Sequence, residues 1–255
     1  MTTDPPTQAP ILELRDIEAS YGPFRSLFGV SFAIEEQGVT ALLGSNGSGK
    51  TTVVRICSGL LHPTGGQLLY RGDDISQMRA YKLARRGVVH APEGRSVFAT
   101  LTVEENLALT FRQVFGRRGC REAIDRSYDL FPRLGERRRQ LAGTLSGGEQ
   151  RMLSLARVLV RAPELLITDE LSLGLAPVII DEVYETLATI RGAGTALLIV
   201  EQHIHQALTL ADHVVVMGKG RISLSGRTDE LGDIAERIIP AVQGDPQISG
   251  NGAGS

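Results

Sequence analysis

The 255-residue chain has no tryptophan, two cysteines and only 5% aromatic residues. Cys57 and Cys120 give no disulfide framework and no zinc-ligand spacing, which fits a reducing compartment. No apolar run approaches the ~20 residues needed to cross a bilayer. The chain therefore reads as soluble, and any membrane role must come through a partner. The first ten residues are polar and proline-rich, without the apolar core of a signal peptide. Residues 1–10 and 243–255 read as loose tails. There is no excess of basic charge. The formal net charge is −2, so nothing in the balance points to nucleic acid. No internal repeat is present, and the five histidines have no metal-ligand spacing. What the chain does have is 42% apolar residues. At this length a fold buries roughly three quarters of its unfolded surface. Residues 11–242 are expected to form one domain.

Apolar and polar residues alternate over 11–20, which predicts a strand, and 30–34 is a second short strand. Continuous apolar runs at 39–43, 87–91, 165–168 and 196–200 predict buried strands. Helical patterns separate these runs, which implies an α/β fold with a mixed, largely parallel sheet. Residues 50–60 read as a helix that stops before the turn cluster 62–66. The stretch of about 100–160 differs in character. Helices are expected at 103–115 and 121–134, with arginine-rich joints at 117–118 and 137–139, as a helical subdomain inserted into the core. Gly218-Lys219-Gly220 between two short apolar runs is a hairpin signal.

Three stretches carry chemistry. Gly44-Ser45-Asn46-Gly47-Ser48-Gly49-Lys50-Thr51-Thr52 matches the phosphate-loop pattern between a strand and a helix. Its glycines let backbone N–H groups converge on anionic oxygens, and the helix N-terminus adds its positive end. Lys50 is expected on the β- and γ-phosphates, and the Thr51 hydroxyl on Mg²⁺. The second stretch is a buried strand ending in Asp169 and Glu170. Asp169 is placed to hold Mg²⁺ beside Thr51, and Glu170 to polarise an attacking water. The third is Leu145-Ser146-Gly147-Gly148-Glu149-Gln150. It opens a helix with an apolar stripe at Met152, Leu155, Ala156, Leu159 and Val160, for which Ser146 is a good N-cap. Ser146 and the N–H groups of Gly147 and Gly148 form a second candidate anion site. The two glycine turns need not serve one nucleotide. Two chains placed head to tail would give two composite sites, each joining one chain's Lys50 to the other's Ser146.

Over roughly 11–226 the sequence resembles the nucleotide-binding subunit of ATP-binding-cassette (ABC) transporters. That resemblance implies a P-loop NTPase core with an N-terminal antiparallel β part, ATP and Mg²⁺ as ligands, and sites between two subunits. Ala91-Pro92-Glu93-Gly94-Arg95, the 101–107 and 130–134 stretches, 172–177 and Val200-Glu201-Gln202 resemble the importers of branched-chain amino acids. Importers of amides or urea share much of this pattern. Non-transport cassettes, linked to nucleic acid or acting as scaffolds, are the remaining alternative. The resemblance places Tyr21 against adenine. It places Glu93 near Mg²⁺, where most cassettes carry glutamine. It places Gln202 near the γ-phosphate, where most carry histidine; His203 follows one residue later. Glu149 enters the nucleotide site as part of the signature. Thr168 and Leu171 stand where related proteins have leucine and proline. The implied partners are membrane permease subunits, a second cassette (a related chain or a second copy) and, indirectly, a solute-binding protein. The implied location is the cytoplasmic face of the membrane.

Overall fold

The computed structural model describes residues 9–91, 97–160, 162–173, 175–201 and 204–230. The tail expected at 243–255 lies outside these residues, as do Glu93, Gln202 and His203.

Strand β1 (Leu12–Tyr21) pairs antiparallel with β2 (Phe24–Ile34) through a tight turn, down to the pair Tyr21 and Phe24. The strand expected at 30–34 is thus only the end of a longer one. Strand β3 (Val39–Gly44) feeds the phosphate loop and helix α1 (Lys50–Cys57). That helix ends at Ser58, short of the expected 60, where the Ser58 hydroxyl bonds the Val54 carbonyl and Gly59 turns left-handed at φ 69°. Strands β4 (Gly65–Tyr70) and β5 (Asp73–Asp74) and helix α2 (Ala80–Arg85) follow, in a region for which the sequence predicts only the opening turn. Next come β6 (Val88–Ala91), α3 (Val103–Leu130), α4 (Pro132–Glu136) and α5 (Gly147–Leu159). The remaining described residues form β7 (Leu165–Asp169), α6 (Pro177–Gly192), β8 (Ala196–Glu201), α7 (Ile204–Leu210), β9 (His213–Gly218) and β10 (Arg221–Arg227).

The helix expected at 121–134 is interrupted at Phe131 (φ −134°, ψ 79°). Pro132 disfavours helical geometry in the residue before it, so a separate short helix starts at the proline. Gly116, at φ 67° and ψ −173°, bends α3 into two arms, close to the break expected after 115.

Two sheets result. One is antiparallel, in the order β2-β1-β4-β5; the other runs β10-β9-β3-β8-β7-β6, parallel except for β10. Period-two alternation explains the continuous apolar runs. Val39, Ala41 and Leu43 join one core with α3, α5 and α6, while Leu42 joins the other with α1 and the antiparallel sheet. Each fully buried aliphatic side chain contributes about 1.5–3 kcal/mol, so a strand buried on both faces fixes its register firmly. The parallel strands deliver Gly44, Asp169 and Glu201 to one edge. No helix of the described residues is long and apolar enough to cross a membrane.

Candidate active site

The phosphate loop is built by conformation and by packing. Gly47 and Gly49 take φ 76° and 109°. Gly47 has open space around it, so its requirement is backbone freedom; a Cβ on Gly49 would lie 2.9 Å from Leu27 and 3.1 Å from Met217. Gly49 is the N-cap of α1 and supplies no side-chain acceptor, which leaves the helix's first N–H groups facing the loop. Ser48 Oγ is buried without a hydrogen-bond partner among the described residues. A cradle with uncapped donors and an orphaned hydroxyl fits the phosphates of a nucleotide.

Lys50 is buried, and its ammonium donates to the carbonyls of Gly44 (2.7 Å) and Ser45 (3.1 Å). It lies 3.9 Å from Glu170 Oε1. Burial lowers the Lys50 pKa, against the opposing pull of Glu170, Asp169 and Glu201. Thr51 is exposed beside it. Thr52 is different: it is buried and its hydroxyl pairs with Ser26 Oγ at 2.8 Å, which turns that side chain toward β2. Asp169 ends β7 almost fully buried, and Glu170 follows at φ 47°. The hydroxyl of Thr168 donates to the Leu198 carbonyl at 3.4 Å, which satisfies a polar residue inside a buried strand. Lys50, Asp169 and Glu170 therefore meet at one sheet edge. Tyr21 lies at the end of β1, 40% exposed, and its hydroxyl accepts from Arg55 of α1 at 3.3 Å. A half-exposed ring held in this way can present a face to a flat base.

The signature turn is a second structure with its own logic. Ser146 caps α5 in a reciprocal box: its Oγ accepts from the Glu149 N–H (3.3 Å), and Glu149 Oε2 accepts from the Ser146 N–H (2.9 Å). Burial raises the Glu149 pKa, but the Ser146 bonds and the Arg137 guanidinium at 2.7 Å outweigh it, and the net shift is downward. The box engages the N–H groups of Ser146 and Glu149 and leaves those of Gly147 and Gly148, in the first helical turn, outside it. A Cβ on Gly148 would lie 2.9 Å from Ile179 of α6, so this glycine also has a packing reason. The helix is buried on nearly every side, and its polar residues Gln150, Arg151 and Ser154 are inside with the expected apolar stripe. Among the described residues, no hydrogen bond or ion pair joins 146–149 to 44–52.

Three supporting residues act through contacts that no short stretch of the sequence signals. Arg151 of α5 donates to the carbonyls of Asp169 and Glu170, at 3.3 Å each. Gly220, at the tip of the β9–β10 hairpin, donates its N–H to the Ser48 carbonyl at 2.9 Å and buttresses the phosphate loop. Glu201 ends β8 and accepts two bonds from Ser172. All three depend on contacts between residues distant in the chain.

A parallel sheet whose carboxyl edge carries a phosphate loop and an acidic strand end, with helices inserted before that strand, defines a P-loop ATPase of the cassette type. The residues at 27–172 match the family described as ABC transporter. The chain is 39% identical to the high-affinity branched-chain amino acid transport ATP-binding protein BraG of Pseudomonas aeruginosa, over 83% of this chain and 91% of that protein. It is 33% identical to the probable branched-chain amino acid transport ATP-binding protein LivF of Archaeoglobus fulgidus, over 84% and 91% respectively. Its fold superimposes on the ADP conformation of an ATP-binding cassette of an ABC transporter with a TM-score of 0.78, at 26% identity, covering 93% of this chain and 96% of that one. The chain belongs to the ABC transporter family, and it is an ATP-hydrolysing subunit.

Proposed function

We propose that this chain energises import of branched-chain amino acids, working with permease subunits and a second cassette at the cytoplasmic face of the membrane. The observation that carries the reading is the separation of two finished half-sites on one chain. The phosphate loop meets the acidic edge, while no hydrogen bond or ion pair among the described residues joins the capped signature turn to the phosphate loop. Each half is complete in itself and lacks a nucleotide-facing counterpart, as a head-to-tail pair requires. The solute class rests on BraG and LivF, whose names specify branched-chain amino acid transport.

ATP bound at 44–52 draws the Lys50 ammonium off its carbonyl contacts and onto phosphate oxygens, with Tyr21 against the base. The first N–H groups of α1 and the exposed Thr51 face the same phosphates. Mg²⁺, when bound, offsets phosphate charge; the Thr51 hydroxyl and the Asp169 carboxylate are the groups that would hold it. One carboxylate, one hydroxyl, phosphates and water make an ordinary donor set for this cation. Loss of the Lys50 ion pair turns the Glu170 carboxylate to a water in line with the γ-phosphate. Ser146 and the Gly147 and Gly148 N–H groups of the second cassette close over that phosphate. Charge-assisted hydrogen bonds of this kind contribute roughly 1.5–3 kcal/mol each. They form only in the closed pair, so ATP favours closure by its differential affinity.

The test is Glu170→Gln. Turnover should fall by ~10²–10⁴ while ATP binding is kept, and full turnover would remove Glu170 from the role of base. For the solute, the chain reconstituted with its permeases in vesicles should drive uptake of leucine, isoleucine and valine. Uptake of urea or amides instead would reassign the importer.

A further inference from the structure

We propose that Glu201 is a positioning residue that holds the loop after β7, and through it Glu170, in the geometry for hydrolysis. The inference rests on the reading of Glu170 as the base. Strand β8 lies between β3, which carries the phosphate loop, and β7, which carries Asp169. Glu201 pairs in register with Leu43, the residue before Gly44, and its neighbour Val200 pairs with Asp169. The carboxylate therefore sits between the two halves of the catalytic edge.

It is also buried, at 1% exposure. A buried carboxylate is costly unless its oxygens are engaged. Both are: Oε1 accepts from the Ser172 N–H at 3.0 Å and Oε2 from the Ser172 hydroxyl at 2.7 Å. Ser172 is 2% exposed and lies two residues beyond Glu170.

Glu170 needs such anchoring. Its φ of 47° is left-handed, a conformation that strains a residue bearing a side chain. A strained residue persists only where its surroundings over-determine it. Glu170 donates its N–H to the Val200 carbonyl at 2.9 Å, and Arg151 holds its own carbonyl at 3.3 Å. The Ser172–Glu201 pair fixes the next turn of the loop, as Leu171 packs inside at 1% exposure and Leu173 faces out. Two of these three tethers come from the end of β8. Without the Glu201 tether the loop relaxes toward an unstrained φ and the Glu170 carboxylate leaves its line of attack. ATP binding rests on the loop at 44–52 and is left in place.

The experiment uses the full chain in its membrane complex, with Ser172→Ala, Glu201→Ala and the double variant. Glutamine at 201 would keep an acceptor for the Ser172 N–H and a donor for its hydroxyl, so the truncation is the variant that breaks the tether. Turnover, affinity for a non-hydrolysable ATP analogue and melting temperature are measured for each. Each single variant should lower kcat about tenfold or more, with KM and analogue affinity within about twofold. The double variant should be no slower than the slower single, because the bond to the Ser172 hydroxyl is lost in either. Unchanged kcat, losses that multiply, or a raised KM at constant kcat would each overturn the proposal. Should Glu201→Ala fail to fold, Ser172→Ala, which deletes a single hydroxyl, decides by the same kcat and KM criteria. An active Glu170→Gln removes the base itself; a dead Glu170→Gln beside an unaffected Glu201→Ala removes only this inference.

Discussion

His90 lies on β6 with Nε2 buried and without a hydrogen-bond partner among the described residues. Burial pushes its imidazole down to about 4, from an ordinary 6.5. Between those values the unfolded chain binds a proton that the folded chain refuses, so stability rises with pH across that window. It is fully present above 6.5 and is lost as pH falls toward 4. At ~1.4 kcal/mol per pKa unit the contribution is bounded by about 3 kcal/mol, less whatever its partial exposure screens. His90→Leu should flatten this slope. Urea unfolding near neutral pH and at about pH 5 should differ by ~1–3 kcal/mol for the natural chain and by clearly less for the variant. An equal slope in both would assign the acid sensitivity to other groups.

At the scale of elements, Gly148 shows why a signature cannot be read only as chemistry. The ideal Cβ at this position meets Cγ2 and Cγ1 of Ile179, at 2.9 and 3.0 Å, which are not the far end of a flexible side chain. Gly148→Ala should therefore destabilise the α5–α6 contact by about 1–3 kcal/mol. Adding Ile179→Ala should recover part of that loss, and a thermodynamic cycle over the two sites measures the coupling. Strict additivity would show that crowding against Ile179 is not what requires a glycine here. The phosphate loop, the N-cap at Ser146 and the strand ending in Asp169 were legible because each is a local pattern within a dozen residues. The hairpin at 218–220 was legible too, but not its N–H bond to Ser48, which joins residues far apart in the chain. Arg151 reaches carbonyls eighteen and nineteen residues on, and Glu201 reaches back twenty-nine. No short window contains those pairs. The Thr52 hydroxyl followed the same rule: the motif fixed its place in the loop, but its bond to Ser26 turned its side chain to β2. Strand β4 and helix α2 lay unassigned because β4 opens on two glycines and α2 is only 6 residues long.

For the whole molecule, the two half-sites imply a surface that a second cassette covers. The loop after β7 divides its apolar residues between inside and outside. Leu171 is 1% exposed, Leu173 is 52% exposed, and Val178 at the start of α6 is 66% exposed. Their loop begins at Glu170, so a partner completing the nucleotide site would bury them as well. Covering one such side chain contributes about 1.5–3 kcal/mol, enough to shift an ATP-dependent pairing equilibrium by roughly ten- to a hundredfold. The Glu170→Gln chain, alone or mixed with the cassette that co-purifies with it, should sediment as a pair when ATP is present. Adding Leu173→Asp places a charge on the covered surface and should return it to single chains at an unchanged melting temperature. Leu60 is the control, since it is 61% exposed beyond the far end of α1 from the phosphate loop. Leu60→Asp should leave the pair intact. A pair that survives Leu173→Asp, or that dissociates equally with Leu60→Asp, would move the contact away from the β7–α6 loop and separate the signature turn from the nucleotide it is proposed to close.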